Sequence, residues 1–115
     1  MDIKVFNSQI SKEELLGLAK AGYGDMVKGV IDVQKRLLAL GGELHADCER
    51  KLLENGSLQA DLWGFNIYPE KSREEYLEYD SMINVRPRQG NMGREIKNVN
   101  LRSQIKNIID DMVVI

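Results

Sequence analysis

The segment Leu62–Pro69 constrains the fold more than any other part of the chain. Its large apolar side chains, Trp63, Phe65 and Ile67, occupy every second position, with small or polar residues between them. Successive side chains of a β-strand point to opposite faces of a sheet, so this period of two predicts a strand. Each of these side chains contributes about 1.5–3 kcal/mol when buried, which makes the segment a core strand.

Residues 26–40 are predicted to add a hairpin to the same sheet. Residues 26–33 alternate again, Gln34–Lys35 lies at the position of a tight turn, and residues 37–46 form the returning strand. A single long helix over residues 26–40 is the alternative, because the same apolar residues also fit a helical stripe. We favour the hairpin because β-branched residues and Gly29 lower helix propensity.

Three segments carry helix signals. The Ser11–Glu14 segment has the spacing of a capping box, which predicts a helix over residues 12–21. Asp47 is predicted to cap a second helix, and Asn98 or Asn100 a third, because these side chains accept hydrogen bonds from free amides. The apolar stripes are Cys48, Leu52 and Leu53 in the second helix and Leu101, Ile105, Ile108, Ile109 and Met112 in the third.

These elements follow one another in the order helix, strand, strand, helix, strand, strand, helix. The fourth strand is the alternating stretch Tyr76–Pro87, which ends at Pro87 because proline has no amide hydrogen to donate. Ile3–Phe6 is a further candidate for a short edge strand. The order predicts an α+β domain with an antiparallel sheet of about four strands and the helices packed on one face. At 115 residues, the chain 1–115 is expected to be a single domain with a substantial core.

The composition excludes several classes of partner. A net charge of −2 gives no field that would hold a nucleic acid, so nucleic acid binding is not expected. No segment approaches the roughly 20 apolar residues of a membrane span, and the N-terminus lacks the apolar run of a signal peptide. Cys48 is the only cysteine, which excludes an internal disulfide and suits a reducing compartment. We therefore expect a cytoplasmic protein with no membrane partner.

The face of the predicted sheet opposite the helices carries the chain's only histidine. If the second strand continues through Gly41–Gly42, then Glu43, His45 and Asp47 alternate outward along it. Nearby carboxylates tune an imidazole for general acid or base work, which makes these three residues the candidate catalytic set. The alternative is a solvated sheet face on which Asp47 only caps a helix. The three side chains are also near enough along a strand to bind a divalent ion, but the spacing by itself matches no recognised metal motif. No metal ligands are therefore assigned, and the cofactor is left unknown.

A second candidate site lies at the end of the fourth strand. Its arginine and amide side chains surround two glycines, a composition that suits a phosphate or carboxylate group. The candidate ligand-binding residues are Asn84, Arg86, Arg88, Gln89 and Asn91. The alternative is an exposed loop whose arginines pair with neighbouring acidic side chains.

The segments Gly41–Asp47, Leu62–Pro69 and Asp80–Asn91 together resemble a family of short, uncharacterised bacterial proteins classified as a domain of unknown function. The resemblance covers nearly the whole chain. It implies a soluble protein of bacterial type, without an activity, cofactor or substrate that could be assigned to particular residues.

Two functions are compatible with these observations. The first is a non-catalytic protein-interaction module that forms a homodimer or binds a small protein partner, which suits a short chain without a recognised catalytic motif. The alternative is a small ligand-binding or metal-binding protein, or an enzyme. That protein would act on an anionic substrate, a phosphate or a carboxylate, through the open sheet face around His45 and Arg86.

Overall fold

A sheet lies at the centre of the fold. A computed structural model describes residues 2–114, so the first and last residues of the predicted domain lie outside the described range. The strands are β1 (Lys4–Phe6), β2 (Ile10–Ser11), β3 (Val27–Asp32), β4 (Leu37–Leu40), β5 (Leu62–Ile67), β6 (Leu77–Glu78) and β7 (Val113–Val114). The helices are α1 (Lys12–Ala21), α2 (His45–Glu54) and α3 (Val99–Met112), with 3-10 turns at Gln59–Asp61, Met82–Asn84 and Pro87–Gln89. Five strands form one antiparallel sheet in the order β1-β4-β3-β5-β6, and β2 pairs with β7 in a separate parallel pair.

Apolar side chains occupy both faces of the five-stranded sheet. On one face, side chains of β3, β4 and β5 pack with α1 and α3 in the larger core. On the other face, Val30, Ala39 and Leu62 pack against Cys48 and Leu52 of α2. The predicted α+β class with an antiparallel sheet is confirmed. The layering differs from the prediction, because α2 lies opposite α1 and α3 and covers much of the face that was expected to be open.

The hairpin predicted for residues 26–40 is confirmed, and the alternative of a single long helix is wrong. β3 and β4 pair antiparallel up to Asp32 and Leu37. The buried Asp32 carboxylate accepts hydrogen bonds from the backbone amides of Gln34 and Lys35, each at 2.9 Å, and from the Ser57 hydroxyl at 2.6 Å. These contacts fix a turn at this position, where a helix would have needed the same amides for its own ladder.

The first and last helices begin where their capping residues predicted. The Ser11 hydroxyl accepts from the Glu14 amide at 3.1 Å, while the Glu14 carboxylate accepts from the Ser11 amide, which completes the capping box. The Asn98 side chain caps α3 by accepting from the Leu101 amide at 3.0 Å. Within residues 2–114, no helix is both long enough and apolar enough to cross a membrane.

The predicted second strand is too long, and this moves His45 onto a helix. β4 ends at Leu40, because Gly41 has a φ of +98° and turns the chain away from the sheet. α2 then begins at His45, with Leu44 as its N-cap. The Asp47 carboxylate accepts from the Leu44 amide at 3.3 Å, so Asp47 lies inside the first turn and is not the N-cap.

The predicted fourth strand is much shorter than its alternation suggested. β6 pairs with β5 over two residues, and the chain then leaves the sheet edge at Asp80. Ser81 packs so closely on Gly64 that a Cβ at Gly64 would lie 2.6 Å from the Ser81 Cβ. The Asn84 amide then pairs with both backbone groups of Gly64, accepting from its amide at 2.8 Å and donating to its carbonyl at 3.0 Å. One side chain therefore replaces the next strand of the ladder.

Candidate functional site

Two clefts open on the sheet face that α2 covers. The first, which we call the His45 cleft, has a volume of about 390 Å³ and lies between the N-terminus of α2 and the segment 80–83. Its polar lining consists of Lys28, His45, Asn66, Asp80, Ser81 and Arg94. The apolar side chains of Met26, Leu44, Ala46, Met82 and Ile83 complete it.

The imidazole of His45 is held by one of its two nitrogens. His45 Nε2 lies 2.9 Å from the Phe65 carbonyl oxygen and 2.9 Å from the Asn66 Oδ1 atom. Asn66 is oriented in turn, because its amide nitrogen donates to the Glu78 carboxylate at 2.7 Å and to the Asp80 carbonyl at 3.3 Å. Since both neighbours of Nε2 are acceptors, Nε2 carries the hydrogen, and the lone pair of the neutral ring lies on Nδ1.

The surroundings of His45 keep the ring neutral. Burial is the largest influence and lowers its pKa, the hydrogen bond to the Phe65 carbonyl opposes this, and the positive charge of Lys28 lowers the pKa further. His45 Nδ1 makes no hydrogen bond within residues 2–114, and no buried side-chain nitrogen or oxygen in that range lacks a partner. Nδ1 is therefore reached by solvent and is the basic atom that His45 offers to a ligand.

Cationic side chains flank this imidazole. Arg94 donates to the Asp80 carboxylate at 3.0 Å, so its charge is partly balanced inside the cleft. The Lys28 ammonium lies 4.9 Å from the centre of the Tyr23 ring and has no ion-pair partner within the part of the chain that the structure describes. With His45 neutral, the residues that line the cleft include two cations and one carboxylate, so the lining itself is net positive.

Glu43 and Asp47 do not flank His45 in the way that strand alternation predicted. Glu43 is exposed and its backbone carbonyl accepts from the Tyr23 hydroxyl, while the Asp47 carboxylate is used at the helix start. Neither carboxylate is hydrogen-bonded to the imidazole. Within residues 2–114, no three His, Cys, Asp or Glu side chains are grouped so that they would hold a metal ion. A catalytic role for any of these three residues stays a prediction.

The second cleft, which we call the Arg88 cleft, adjoins the first. It has a volume of about 570 Å³ and is lined by Glu49, Gln59, Met82, Ile83, Val85, Arg86, Pro87, Arg88 and Gln89. Met82 and Ile83 line both clefts, so the two meet at the 3-10 turn Met82–Asn84. The predicted anion-binding segment therefore lies next to His45, with this turn between them.

All of the N–H groups of the Arg86 guanidinium donate hydrogen bonds within the protein. A guanidinium carries five N–H groups. Its partners are the Ile83 carbonyl at 3.0 Å, the Gln59 carbonyl at 2.7 Å, Gln89 Oε1 at 3.2 Å, Glu49 Oε2 at 3.4 Å and the Leu62 carbonyl. The side chain is only 10% exposed and stacks on Trp63, with its Cζ atom 4.6 Å from the ring centre. Arg86 joins α2, β5 and the Pro87–Gln89 turn to one another.

The amide side chains of Asn84, Gln89 and Asn91 are also hydrogen-bonded within the protein. Asn84 pairs with Gly64, and Gln89 donates to the Ala60 carbonyl at 3.0 Å. Asn91 donates to the carbonyls of Asn84, Gly93 and Glu95 and accepts from the Lys97 amide.

Arg88 contrasts with these neighbours. It is exposed and makes no hydrogen bond or ion pair with the side chains and backbone that the structure describes. Four of the five predicted ligand-binding residues therefore stabilise the fold through known contacts, and their contact with a ligand stays a prediction.

The candidate set chosen from the sequence omitted the residues that orient and surround the imidazole. Asn66 is the main one, since its amide links Glu78 and Asp80 to His45. The available signal was an amide at a buried position of a strongly apolar strand, where a polar group must find a partner. Alternation along residues 26–33 places Lys28 on the same face of the sheet as Asn66. Arg94 had no comparable signal, because its approach to the cleft depends on the irregular segment after the Pro87–Gln89 turn.

The chain was also compared with known proteins. A family model described as "Protein of unknown function (DUF5674)" matches residues 4–112, a range that includes β1 to β6, all three helices and both clefts. No curated protein and no solved structure matches the chain.

Proposed function

The chain belongs to this family of proteins of unknown function, and we propose that its His45 cleft binds a ligand that carries an anionic group beside an O–H or N–H group. The observation that carries this proposal is the double acceptor contact of His45 Nε2, which leaves Nδ1 as a hydrogen-bond acceptor. The chain acts as a small ligand-binding protein or, where the ligand's O–H group reacts, as an enzyme.

The two halves of the ligand follow from two features of the cleft. A neutral Nδ1 needs a donor, because a bare carboxylate or sulfate oxygen facing it would meet a lone pair. Lys28 and Arg94 supply positive charge for the anionic half, and hydrogen bonds between ionised partners are the stronger kind. A hydroxy acid has both groups, and so does a phosphate monoester in its singly protonated form.

His45 also has the properties of a general base toward such a ligand. Burial keeps its pKa low, so the base form dominates at neutral pH. Asn66 and the Phe65 carbonyl hold the ring through Nε2 and stabilise the orientation in which Nδ1 receives a proton. Asn66 is a positioning residue in this scheme, and His45 is the residue that contacts the ligand.

Titration with inorganic phosphate tests this proposal directly. His45 is the only histidine, so its ring signals in an NMR spectrum need no assignment by mutation. We expect phosphate, which keeps an O–H group near neutral pH, to shift the ring signals in a saturable manner. Sulfate has the charge without the O–H group and should bind about tenfold more weakly. Lys28→Gln and Arg94→Gln should each weaken phosphate binding, and unchanged ring signals at all phosphate concentrations would contradict the proposal.

A second candidate function is a homodimer or other interaction module, and exposed apolar side chains favour it. Leu44 and Met82, which line the His45 cleft together, are 55% and 66% exposed. Exposed apolar side chains that cluster mark protein interfaces. We expect sedimentation velocity over a concentration series to detect a dimer that Met82→Asp dissociates, and a monomer at every concentration would exclude the homodimer.

We also propose that the protein is cytoplasmic and unfolds as one unit. The support for one unit is that both cores pack on the same five-stranded sheet. A single cooperative transition, seen identically by Trp63 fluorescence and by circular dichroism, would support it, whereas two separated transitions would contradict it. Cell fractionation tests the location.

A further inference from the structure

The two clefts adjoin one another on the protein surface. Both are lined by Met82 and Ile83, and we call their union the Met82 groove. Its middle is apolar and open to solvent, since Leu44, Met82 and Val85 are 55%, 66% and 38% exposed. A small polar anion in the His45 cleft leaves this apolar middle uncovered.

Each of the two clefts in the Met82 groove contains one cation without an acidic partner in the described chain. Arg94 pairs with Asp80 and Arg86 pairs with Glu49, which leaves Lys28 in the His45 cleft and Arg88 in the Arg88 cleft without acidic partners among residues 2–114. The lining of each cleft is thus net positive on a chain whose net charge is −2. This pattern is complementary to a ligand with two separated negative charges and an apolar centre.

We propose that the ligand of the His45 cleft is part of an extended peptide that lies along the Met82 groove. An apolar side chain of the peptide contacts Met82, one acidic residue reaches Lys28 and a second reaches Arg88. This inference rests on the proposed function, because the acidic residue at Lys28 is the anionic group of that proposal.

A peptide satisfies every group in the groove, whereas simpler ligands do not. The peptide backbone supplies an N–H donor for His45 Nδ1, next to the acidic side chain that pairs with Lys28. A fatty or aromatic carboxylate offers one charge and no donor, so it leaves Nδ1 and one of the two cations unsatisfied. Methionine adapts its shape to different apolar partners, which suits the position of Met82 at the centre of a binding surface.

A positional-scanning library of acetylated and amidated heptapeptides tests this inference. We expect enrichment of Asp or Glu at two positions on either side of an apolar residue. Arg88→Glu should replace the acidic preference at one of these positions by a basic preference, and Lys28→Glu should do the same at the other. Met82→Asp should remove the apolar preference and lower the affinity of the best peptide by about tenfold or more.

The outcomes separate this inference from the proposed function. Peptides without an acidic, apolar, acidic pattern, or a pattern that neither charge reversal alters, would overturn the peptide ligand. If phosphate still shifts the His45 signals in that case, the anion site stands and only its ligand class is wrong. If neither phosphate nor any peptide binds, both proposals fail. Thermal unfolding of each variant controls for loss of the fold, since all three substituted side chains lie at solvent-accessible positions.

Discussion

Arg86 and Arg88 lie two positions apart in one turn, and they differ in both solvent exposure and hydrogen bonding. The Arg86 side chain is only 10% exposed and all of its N–H groups donate to protein acceptors, whereas Arg88 is exposed without an acceptor in the described chain. The two ring nitrogens of His45 differ in the same way. Nε2 is hydrogen-bonded to two protein acceptors, whereas Nδ1 has no hydrogen-bond partner in the described chain. Hydrogen-bond saturation therefore distinguishes groups that hold this fold together from groups that remain available to a ligand.

The largest effect is expected for Arg86→Ala. The substitution leaves the Glu49 carboxylate and several carbonyl groups without their donor in a poorly solvated place. Breaking such a pair costs about 3–5 kcal/mol, and urea unfolding measures it. If the free energy of unfolding fell by less than about 1 kcal/mol, the contacts of Arg86 would be dispensable. Low exposure and full hydrogen bonding would then not identify the arginine that stabilises the fold.

Asn84→Ala is expected to have the next largest effect. It leaves the amide and carbonyl of Gly64 without partners at the edge of β5, where no strand replaces them. An unsatisfied buried polar group costs about 1–3 kcal/mol. Asn100→Ala is the matched control, since Asn100 is exposed on α3, and equal urea midpoints for the two variants would refute the structural role of Asn84.

A smaller effect is expected on the way stability depends on pH, because the native pKa of His45 is lowered. The native pKa is lowered by burial, so the unfolded chain takes up a proton first as the pH falls below its ordinary value of about 6.5. Stability should be fully present above that pH and should decrease between there and the lowered native pKa. His45→Gln should flatten this dependence, measured as the urea midpoint between pH 5 and pH 8. An equally steep dependence in the variant would assign it to another group.

The smallest effect on stability is expected for Arg88→Ala. The side chain has no partner to lose, and exposed positions of this kind usually change stability by less than about 0.5 kcal/mol. The same variant should nevertheless weaken binding of acidic peptides. Destabilisation comparable to that of Arg86→Ala would erase the contrast between the two arginines.

Local signals in the sequence predicted those elements whose contacts are local. The capping box at Ser11 places α1 correctly, and the alternation around Trp63 identifies β5, because both depend on residues a few positions apart. The hairpin of β3 and β4 follows for the same reason. Asn98 likewise marks the start of α3.

The site required contacts between distant parts of the chain. Alternation through Gly41–Gly42 suggested a strand that carried His45. A hydrophobic pattern does not reveal the positive φ of Gly41, at which the chain leaves the sheet. Alternation from Tyr76 to Pro87 likewise could not reveal that the Asn84 side chain takes the place of a strand. The sequence singled out the histidine and the arginine segment as candidates, and a functional role for either stays a prediction. Which atoms of His45 are hydrogen-bonded depends on Phe65 and Asn66, and the contacts of Arg86 depend on Glu49, and each of these partners lies at least 20 positions away along the chain.

The protonation state of the His45 ring tests the central claim most directly. Long-range proton–nitrogen NMR spectra of the uniformly labelled protein at pH 7 distinguish a nitrogen that carries hydrogen from one that does not, and the chain has a single histidine. We predict a neutral ring with its hydrogen on Nε2, and we predict that Asn66→Leu weakens this preference. A ring with its hydrogen on Nδ1, or a ring that is protonated on both nitrogens at pH 7, would contradict the account of the site.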